Sequence, residues 1–334
     1  MTAITPNPAR RSVGIHYGKS LSVDAWSQQW QDGKVPGRWP YGLDKLTDHG
    51  LVVSDASSGP RTDIKLGFDE GVAREVARGR QRSVCGTIWI TDQLMARRPS
   101  TRVRARRAVL AHSLRRMDRI LTFSSATPRL LSQLLEIPCE RIKYVPLGID
   151  TEYYAQTPYP DSRLVLSVGN DQARDSRTLY GSFEELLSMD PSIEIVVQTK
   201  DPQLPPRGVT KVTRFSDHSE LRNYYQRAAV IVVASRPNLY TSGSTVALEA
   251  QAIGRPVVIS DTPGMSDYVH DRETGVLTPP EDAMAMASAV KSLLDAPEKA
   301  ADMGLSGARA VRAGNASEQM IGQIAEILHG LPPR

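Results

Sequence analysis

The sequence lacks the short motifs that mark several large enzyme classes. It contains no GxxxxGK(S/T) loop, so a P-loop nucleoside triphosphatase is not supported. No GxGxxG follows the first predicted strand, which argues against a dinucleotide dehydrogenase. A GxSxG turn is also missing, and with it the nucleophile of an α/β-hydrolase. The chemistry must therefore be sought in other parts of the chain.

Cysteine and long apolar runs are scarce. Only Cys85 and Cys139 occur, far apart and without a CxxC or Cys/His cluster, which favours two reduced core thiols over a disulfide or a metal site. No segment reaches the roughly 20 apolar residues of a membrane span. Residues 1–18 also lack an apolar core of signal-peptide length. We therefore expect a cytoplasmic protein that could still lie on a membrane surface.

The positive charge is concentrated in one predicted helix. The 334-residue chain has a net charge of +4, and residues 97–119 (RRPSTRVRARRAVLAHSLRRMDR) hold most of the excess. Val103, Leu110, Leu114 and Met117 fall near one face of this helix. Such a helix suits peripheral contact with an anionic membrane surface or a phosphorylated acceptor, but a solvated surface helix explains the same pattern. Because no aromatic residues interleave with the arginines, we expect no nucleic acid partner.

Residues 239–275 (LYTSGSTVALEAQAIGRPVVISDTPGMSDYVHDRETG) dominate the sequence. Small, hydroxylated residues at 240–244 precede a predicted helix at 245–252 and a buried strand at 256–259. Backbone N–H groups in such a loop can approach an anion, and a helix N-terminus carries partial positive charge. Glu249 lies one turn into the helix. The stretch thus predicts a site for a phosphorylated ligand beside one carboxylate, although a simple helix cap would look the same.

Three matching motifs give this stretch a specific resemblance. LEAQAIGRPVVIS (248–260), PGMSDYV (263–269) and DRETGVLTPPED (271–282) resemble the nucleotide-sugar signature of glycosyltransferase family 4, retaining enzymes of the glycosyl transferases group 1 type. The resemblance spans about 119–312 and is loose before that. It implies an α/β protein of GT-B fold, with two Rossmann-like domains whose parallel sheets face a central cleft.

The resemblance also assigns the donor site. It implies that Ser242, Gly243, Ser244 and Thr245 bind the diphosphate and that Glu249 accepts hydrogen bonds from the ribose. Where the family usually has a first glutamate, eight positions earlier and associated with the donor sugar, this chain has Thr241. No Asp-x-Asp motif occurs, and the family needs no metal, so we expect no metal ion and no cofactor.

The start of the second domain supplies the predicted cation. Strand 164–168 is followed by Gly169, which matches the family glycine, and by Asn170, which replaces the usual arginine. Cleavage of a sugar–diphosphate bond leaves negative charge that a fixed cation stabilises. We therefore predict that Arg174 is catalytic, together with Glu249, over the alternative of a surface pair with a neighbouring aspartate. The loop with Arg214 and Phe215 is expected to meet the base.

The first domain is expected to hold the acceptor. Gly18 and Lys19 follow the first predicted strand, and Thr91 and Asp92 end a strand predicted at 85–91. Polar residues at the carboxyl ends of parallel strands face the cleft. An ordinary turn at Gly18 and an N-cap role for Asp92 are the competing interpretations.

Domain limits follow from the Pro-rich segment at 155–162. We expect an acceptor-side domain at 12–157, a nucleotide-sugar domain at 160–312 and a terminal helix at 313–334 that crosses back to the first domain. Further predicted helices lie at 69–81 and 282–295.

These expectations converge on a glycosyltransferase. It would move a sugar from a nucleotide-diphosphate sugar to an acceptor hydroxyl with retention at the anomeric carbon. Two alternatives use the same site: a degenerate protein that binds the nucleotide-sugar without transfer, favoured by Asn170 and Thr241, and a nucleotide-sugar epimerase. A third, a basic surface-binding protein, depends only on residues 97–119.

Overall fold

The strands form from short β-branched runs that are buried on both faces, such as VIVV at 230–233 and VVIS at 257–260. In the computed structural model these runs pair in parallel into two six-stranded sheets. The structure describes residues 10–18, 21–57, 59, 61–96 and 100–333. Lys19, an expected phosphate contact, lies outside these residues.

The first sheet contains the strands β1 (Ser12–His16), β2 (Val52–Asp55), β3 (Ile64–Gly67), β4 (Arg82–Thr87), β5 (Arg119–Thr122) and β6 (Ile142–Tyr144). Their order across the sheet is β2-β1-β3-β4-β5-β6. The helices around it are α1 (Val23–Gln31), α2 (Ala73–Val76), α3 (Ile90–Met95), α4 (Thr101–Arg115) and α5 (Pro128–Leu135), with 3-10 helices at Pro40–His49, Glu70–Val72 and Cys139–Arg141.

The second sheet contains the strands β7 (Leu164–Val168), β8 (Glu194–Gln198), β9 (Val209–Val212), β10 (Val230–Val233), β11 (Val257–Ser260) and β12 (Gly275–Thr278). Their order is β12-β11-β10-β7-β8-β9. The helices are α6 (Ser176–Met189), α7 (His218–Arg227), α8 (Ser244–Ile253), α9 (Ala283–Leu294), α10 (Pro297–Gly314) and α11 (Ser317–His329), with a 3-10 helix at Met265–Asp267.

The order of the second sheet reverses at β7, which has β8 on one side and β10 on the other. In open parallel sheets, ligands bind at the carboxyl ends of the strands that flank such a reversal. The loops after β7 and β10 are therefore where the fold itself favours a ligand.

The carboxyl ends of the two sheets face each other across a cleft and touch at several points. The Asp267 carboxylate, in the second domain, accepts hydrogen bonds from the Ser125 N–H at 2.8 Å and its hydroxyl at 2.7 Å. The Tyr268 hydroxyl accepts the Leu147 N–H at 3.1 Å.

The C-terminal helix α11 packs on the first domain. Its Glu318 pairs with Lys45 at 2.5 Å, and the Ser317 N–H donates to the Ile149 carbonyl at 2.7 Å. Beyond the helix, the Arg11 guanidinium donates to the Leu331 carbonyl at 2.6 Å. The last turn of the chain is thereby tied to the amino end of β1.

Five local features differ from expectation. Strand β3 was not expected, because Ile64–Gly67 is too short for an alternation to stand out. The helix predicted at 69–81 is reduced to two short turns, and β4 ends at Thr87, so residues 90–92 begin helix α3. Helix α10 was also missed, since its three glycines weaken the helical signal. Of the two expected core thiols, Cys85 is buried but Cys139 is exposed.

The basic helix α4 protrudes at its N-terminal half. Leu114 and Met117 are buried, as the predicted apolar face requires, but Val103 is exposed along with Arg102 and Arg104. Within the part of the chain that the structure describes, no helix has the length and apolar character needed to cross a membrane.

Candidate active site

The Arg174 guanidinium lies between two glycines at the reversal of the second sheet. Gly169, directly after β7, has φ +133°, and Gly243, before α8, has φ +102°. A Cβ on Gly169 would lie 2.5 Å from Arg174 Nη2, and one on Gly243 would lie 2.7 Å from Nη1. Only glycine leaves this space and adopts these backbone angles without strain. The two glycines therefore form the enclosure of the cation.

The Arg174 guanidinium has few hydrogen-bond acceptors around it. Nη1 donates to the Ser235 hydroxyl at 3.4 Å and Nη2 to the Val168 carbonyl at 3.2 Å. Its Nε is shielded from solvent and has no hydrogen-bond partner. Among the described residues, no carboxylate lies within 4.0 Å of the guanidinium. Burial lowers the pKa of Arg174, opposed by the charge of Asp171. A fixed cation with spare donors is what an anionic ligand requires.

The loop before α8 brings a helix N-terminus to the same place. Thr241 has φ +53° and is buried, and its carbonyl accepts the Ser244 N–H at 2.9 Å. The Ser242 N–H donates to the Asn238 side chain at 2.9 Å. Thr245 is exposed in the first turn of the helix. Because first-turn N–H groups lack intrahelical partners, they are available to an anion beside Arg174.

Asp171 is a site residue that the sequence did not single out. Its Oδ1 accepts hydrogen bonds from the Tyr240 hydroxyl at 2.6 Å and the Ser242 hydroxyl at 2.7 Å, on either side of Thr241. Its Oδ2 accepts Trp89 Nε1, from the first domain, at 3.3 Å. Burial would raise the pKa of Asp171, but these hydrogen bonds outweigh it and lower the pKa. An ionised carboxylate therefore lies against the loop where Thr241 provides none.

Glu249 is enclosed more than the sequence implied. Its side chain accepts hydrogen bonds from the Tyr154 hydroxyl at 3.0 Å and the Tyr225 hydroxyl at 2.9 Å, and the residue is 7% exposed. Burial raises the pKa of Glu249 to about 7, although the two tyrosines act in the opposite direction. His218 Nδ1 lies 3.2 Å from the Tyr154 hydroxyl, which extends the network. A ribose would thus meet a carboxylate that is already held by two donors.

Two cavities lie beside Glu249 and the loop expected to meet the base, and Arg174 lines neither of them. One, of about 310 Å³, lies between the domains and is lined by Glu249, Thr245 and Tyr41 among others. The other, of about 320 Å³, contains Arg214 and Phe215, the residues expected to meet the base. Asn170, also expected at the donor site, lines neither cavity. Its side chain accepts the Lys200 N–H and so connects the ends of β7 and β8.

The structure describes three of the four residues that were expected on the acceptor side, Gly18, Thr91 and Asp92. Gly18 has open space where a side chain would begin. Thr91 is buried inside α3. Asp92 accepts the Leu239 N–H at 3.1 Å, and burial raises its pKa while this bond opposes the rise. Asp92 is also not an N-cap, because that position belongs to Trp89. The N-cap interpretation of Asp92 is therefore wrong, because the strand ends sooner and Asp92 lies inside the helix, against the second domain. Its predicted place on the acceptor side stays a prediction.

Potential metal ligands are dispersed over the residues described above. In that part of the chain, no three side chains of His, Cys, Asp or Glu come close enough together to hold a metal ion. The expectation of metal-independent chemistry stays a prediction.

Comparison with known proteins agrees with the resemblance of the second domain. Residues 199–309 match the model of the family described as Glycosyl transferases group 1. D-inositol 3-phosphate glycosyltransferase 2 of Catenulispora acidiphila is 39% identical over 100 residues, which is 29% of this chain and 23% of that protein. Glycogen synthase of Mycobacterium tuberculosis is 28% identical over 207 residues, 58% of this chain and 49% of that protein. The chain thus spans less than two thirds of these curated relatives.

Solved structures share the architecture of the whole chain. Sucrose-phosphate synthase from Thermosynechococcus elongatus superposes with a TM-score of 0.70 at 18% identity, covering 96% of this chain and 98% of that one. Anabaena HepE, solved in complex with UDP and glucose, has a TM-score of 0.70 at 14% identity and is covered completely by 96% of this chain. The predicted GT-B fold is confirmed.

The family match and the fold together support the expected relationship to glycosyltransferases. They do not address retention at the anomeric carbon or membership of family 4, which stay predictions.

Proposed function

We propose that the protein transfers a sugar from a nucleotide-diphosphate sugar to an acceptor hydroxyl, with retention at the anomeric carbon. The proposal is supported by the match of residues 199–309 and by the GT-B fold. Structural relatives solved with UDP and with UDP-glucose favour a nucleoside diphosphate as the carrier.

The observation that carries the proposal is the partly free guanidinium of Arg174 inside its glycine enclosure. Arg174 makes only two side-chain hydrogen bonds, to Ser235 and to the Val168 carbonyl, and among the described residues no carboxylate pairs with it directly, although Asp171 is close enough for its charge to act on the guanidinium. A departing diphosphate supplies both a counter-charge and acceptor oxygens. Stabilisation of charge that develops in the transition state is commonly the largest catalytic effect, at about 2.7–4 kcal/mol for one donor.

The diphosphate, ribose and base of the donor would each meet a different part of the site. The diphosphate would lie between Arg174 and the first turn of α8, where Thr245 is exposed. The ribose hydroxyls would donate to the remaining lone pairs of Glu249, since each carboxylate oxygen accepts more than one hydrogen bond. The base would enter the cavity beside Arg214 and Phe215.

The reaction needs no protein nucleophile. The bond between the anomeric carbon and the diphosphate oxygen breaks, and the acceptor oxygen forms a bond to the same face of that carbon. The acceptor proton passes to an oxygen of the departing diphosphate. The chain's own contribution is to hold the diphosphate against Arg174 and to keep the two substrates aligned across the cleft.

A second candidate function uses the same site without transfer. Thr241 stands where the family usually has a glutamate for the donor sugar, and both oxygens of Glu249 already accept a tyrosine hydroxyl. These two features favour a protein that binds the nucleotide-sugar and does not react with it. Asp171 favours the enzyme, because it returns a carboxylate to the 240–242 loop.

The test begins with thermal unfolding in the presence of a panel of nucleoside diphosphates and their sugars. A ligand at 100 times its Kd should stabilise the protein by about 2.7 kcal/mol. Loss of this shift in Glu249→Ala would support the ribose assignment. Release or transfer of sugar from the stabilising donor separates enzyme from binder, and the anomeric configuration of the product tests retention. No shift with any nucleotide would contradict the donor site.

The chain's place in the cell is a separate part of the proposal. We propose a cytoplasmic protein that contacts anionic membrane surfaces through the protruding half of α4. Arg102, Arg104 and Arg106 are exposed there beside the exposed Val103. Basic side chains of this kind gain about 1 kcal/mol each near an anionic leaflet.

A further inference from the structure

Trp26, on helix α1 of the first domain, reaches the second domain. Its Nε1 donates to the Gly37 carbonyl at 3.1 Å, which fixes the plane of the indole. The ring meets His218 of α7 edge-on, with centroids 5.6 Å apart and planes at 68°. An aromatic side chain of the first domain is therefore held rigidly against the wall of the second.

The two cavities of the cleft meet at this contact. Trp26 and His218 are the two residues that line both the cavity containing Glu249 and the cavity containing Arg214 and Phe215. A nucleoside diphosphate that places its ribose at Glu249 and its base beside Phe215 would therefore run past this contact. The indole would then lie beside the base.

Further contacts hold this part of the first domain in place. The Tyr153 hydroxyl donates to the Lys34 carbonyl at 3.0 Å, in the loop that follows α1. Arg222, on α7, lies over the Tyr153 ring at 4.3 Å and donates to the Tyr153 carbonyl at 3.1 Å. Lys34 and Trp26 are thus positioned relative to α7 by a connected set of bonds.

We propose that Trp26 forms the outer wall of the nucleoside subsite and stacks on the base of a bound nucleoside diphosphate. The inference rests on the proposed function and adds a first-domain residue to a site otherwise built by the second domain. Stacking of a base on an aromatic side chain contributes enough that its loss weakens binding about 5- to 150-fold. The second domain alone would then bind the nucleotide incompletely.

The chain contains a matched control on the same helix. Trp30 lies one turn after Trp26, is 42% exposed and lines neither of these two cavities. Trp26→Ala should raise the Kd for the nucleoside diphosphate that binds best by at least about fivefold, as measured by calorimetry. Trp30→Ala should leave that Kd unchanged. Affinity for inorganic diphosphate should be the same in all three proteins, because it has no base.

Intrinsic fluorescence gives a second readout that survives if Trp26→Ala folds poorly. Stacking of a base on an indole should quench its emission, so nucleotide titration should dim the wild type and Trp30→Phe. In Trp26→Phe, which keeps a flat aromatic wall, most of this change should disappear. Thermal unfolding of each variant without ligand checks its fold.

The outcomes separate the inference from the function on which it rests. If wild type binds no nucleoside diphosphate, the proposed function itself is wrong. If wild type binds one but Trp26→Ala binds it equally well and Trp26→Phe is still quenched, Trp26 is not part of the subsite. Equal weakening of nucleotide and inorganic diphosphate by Trp26→Ala would also overturn the inference, since it would place the effect at the phosphates.

Discussion

The two domains line the cleft with different types of residue, and each lining surface is called a wall below. The wall of the second domain consists of glycines, hydroxyls and buried charged groups, with Gly169 and Gly243 around Arg174. The wall of the first domain presents aromatic rings, among them Trp26 and Tyr41. Rigid polar groups suit an anion whose charge grows during reaction, whereas flat apolar rings suit the recognition of rings. We therefore propose that the chemistry depends on the second wall and that the aromatic rings of the first wall add to the recognition of ligand rings.

The walls also differ in how they are held. The second wall is fixed by backbone angles within the short stretch that contains Gly243, which begins α8 in the left-handed region. In the first wall Tyr41 also has a left-handed φ, of +61°, but its ring is held by packing: 44% exposed, it stacks on Phe68 with ring centroids 3.6 Å apart. Substitutions in the second wall should therefore cause large losses of transfer rate or folding stability. Substitutions in the first wall should cause smaller losses.

The largest effect is expected from Arg174→Met. This change keeps much of the side-chain volume and removes the cation, so sugar transfer should slow by about 10²–10³-fold. Folding stability should fall less than in the control below, because Arg174 makes only two side-chain hydrogen bonds, at 3.4 and 3.2 Å. Steady-state kinetics and chemical unfolding measure the two quantities.

The control for that variant is Arg255→Met. Arg255 is fully buried and donates to several carbonyls, including those of Pro158 and Gln226 at 2.8 Å. Its loss leaves buried acceptors unpaired, at a cost of about 1–3 kcal/mol each. Comparable loss of stability in both variants would contradict the view that Arg174 is held for a ligand.

Gly243→Ala should have the next largest effect. A Cβ there would lie 2.7 Å from both Arg174 Nη1 and Val233 Cγ1, at φ +102°. We expect a loss of about 1–3 kcal/mol in stability from the backbone strain, together with a displaced guanidinium and slower transfer. Unfolding curves and initial rates test this expectation.

Gly50→Ala separates strain from displacement. Gly50 has φ +79° and nothing within 4 Å of a new Cβ. It should lose stability through strain alone and keep full activity. If Gly243→Ala kept its rate as well, the enclosure of Arg174 would have no catalytic importance.

A smaller effect concerns the pH dependence of stability through Glu249. The pKa of this group is raised by burial from 4.5 to about 7 in the folded protein. Between these values the folded state keeps a proton that the unfolded state releases, so this group makes stability fall as pH rises, by up to about 1.36 kcal/mol per pH unit. Above pH 7 its contribution is constant.

Glu249→Gln should remove this contribution to the pH dependence of stability, because glutamine does not titrate. The free energy of unfolding, measured from pH 5 to 8, should therefore fall less steeply with rising pH in the variant than in wild type. Parallel curves would mean that Glu249 is ionised at low pH, and that the two tyrosines compensate fully for its burial.

The smallest effect is expected on the outer surface of the first domain. Arg104→Gln should weaken binding to anionic lipid vesicles by about fivefold, the equivalent of 1 kcal/mol. Arg272→Gln, an exposed arginine of the second domain, should bind as wild type does. Vesicle sedimentation measures both. Equal binding of wild type to neutral and anionic vesicles would contradict the proposed contact with anionic membrane surfaces.

The 239–275 stretch of the second domain could be predicted well because its signals are local, whereas α10 of the same domain was missed. The 239–275 stretch contains its own loop, helix and strand, and α8 runs over Ser244–Ile253 where a helix at 245–252 was predicted. In the first domain, Thr91 and Asp92 were misplaced because an apolar run shows that a strand exists but not where it ends. Asp171 was considered only as one possible surface partner of Arg174, since a single aspartate in a loop has no periodic signal.

The sequence alone determined the two-domain α/β architecture, and it predicted the 240–245 loop and Arg174 as parts of a donor site, because strand composition and a short glycine-containing stretch are encoded by neighbouring residues. Only the tertiary structure decided what surrounds them. The Tyr154 and Tyr225 hydroxyls reach Glu249 from positions 95 and 24 residues away, and Trp26 meets His218 from the other domain. Such contacts depend on how helices pack over two sheets, and no local pattern records that packing.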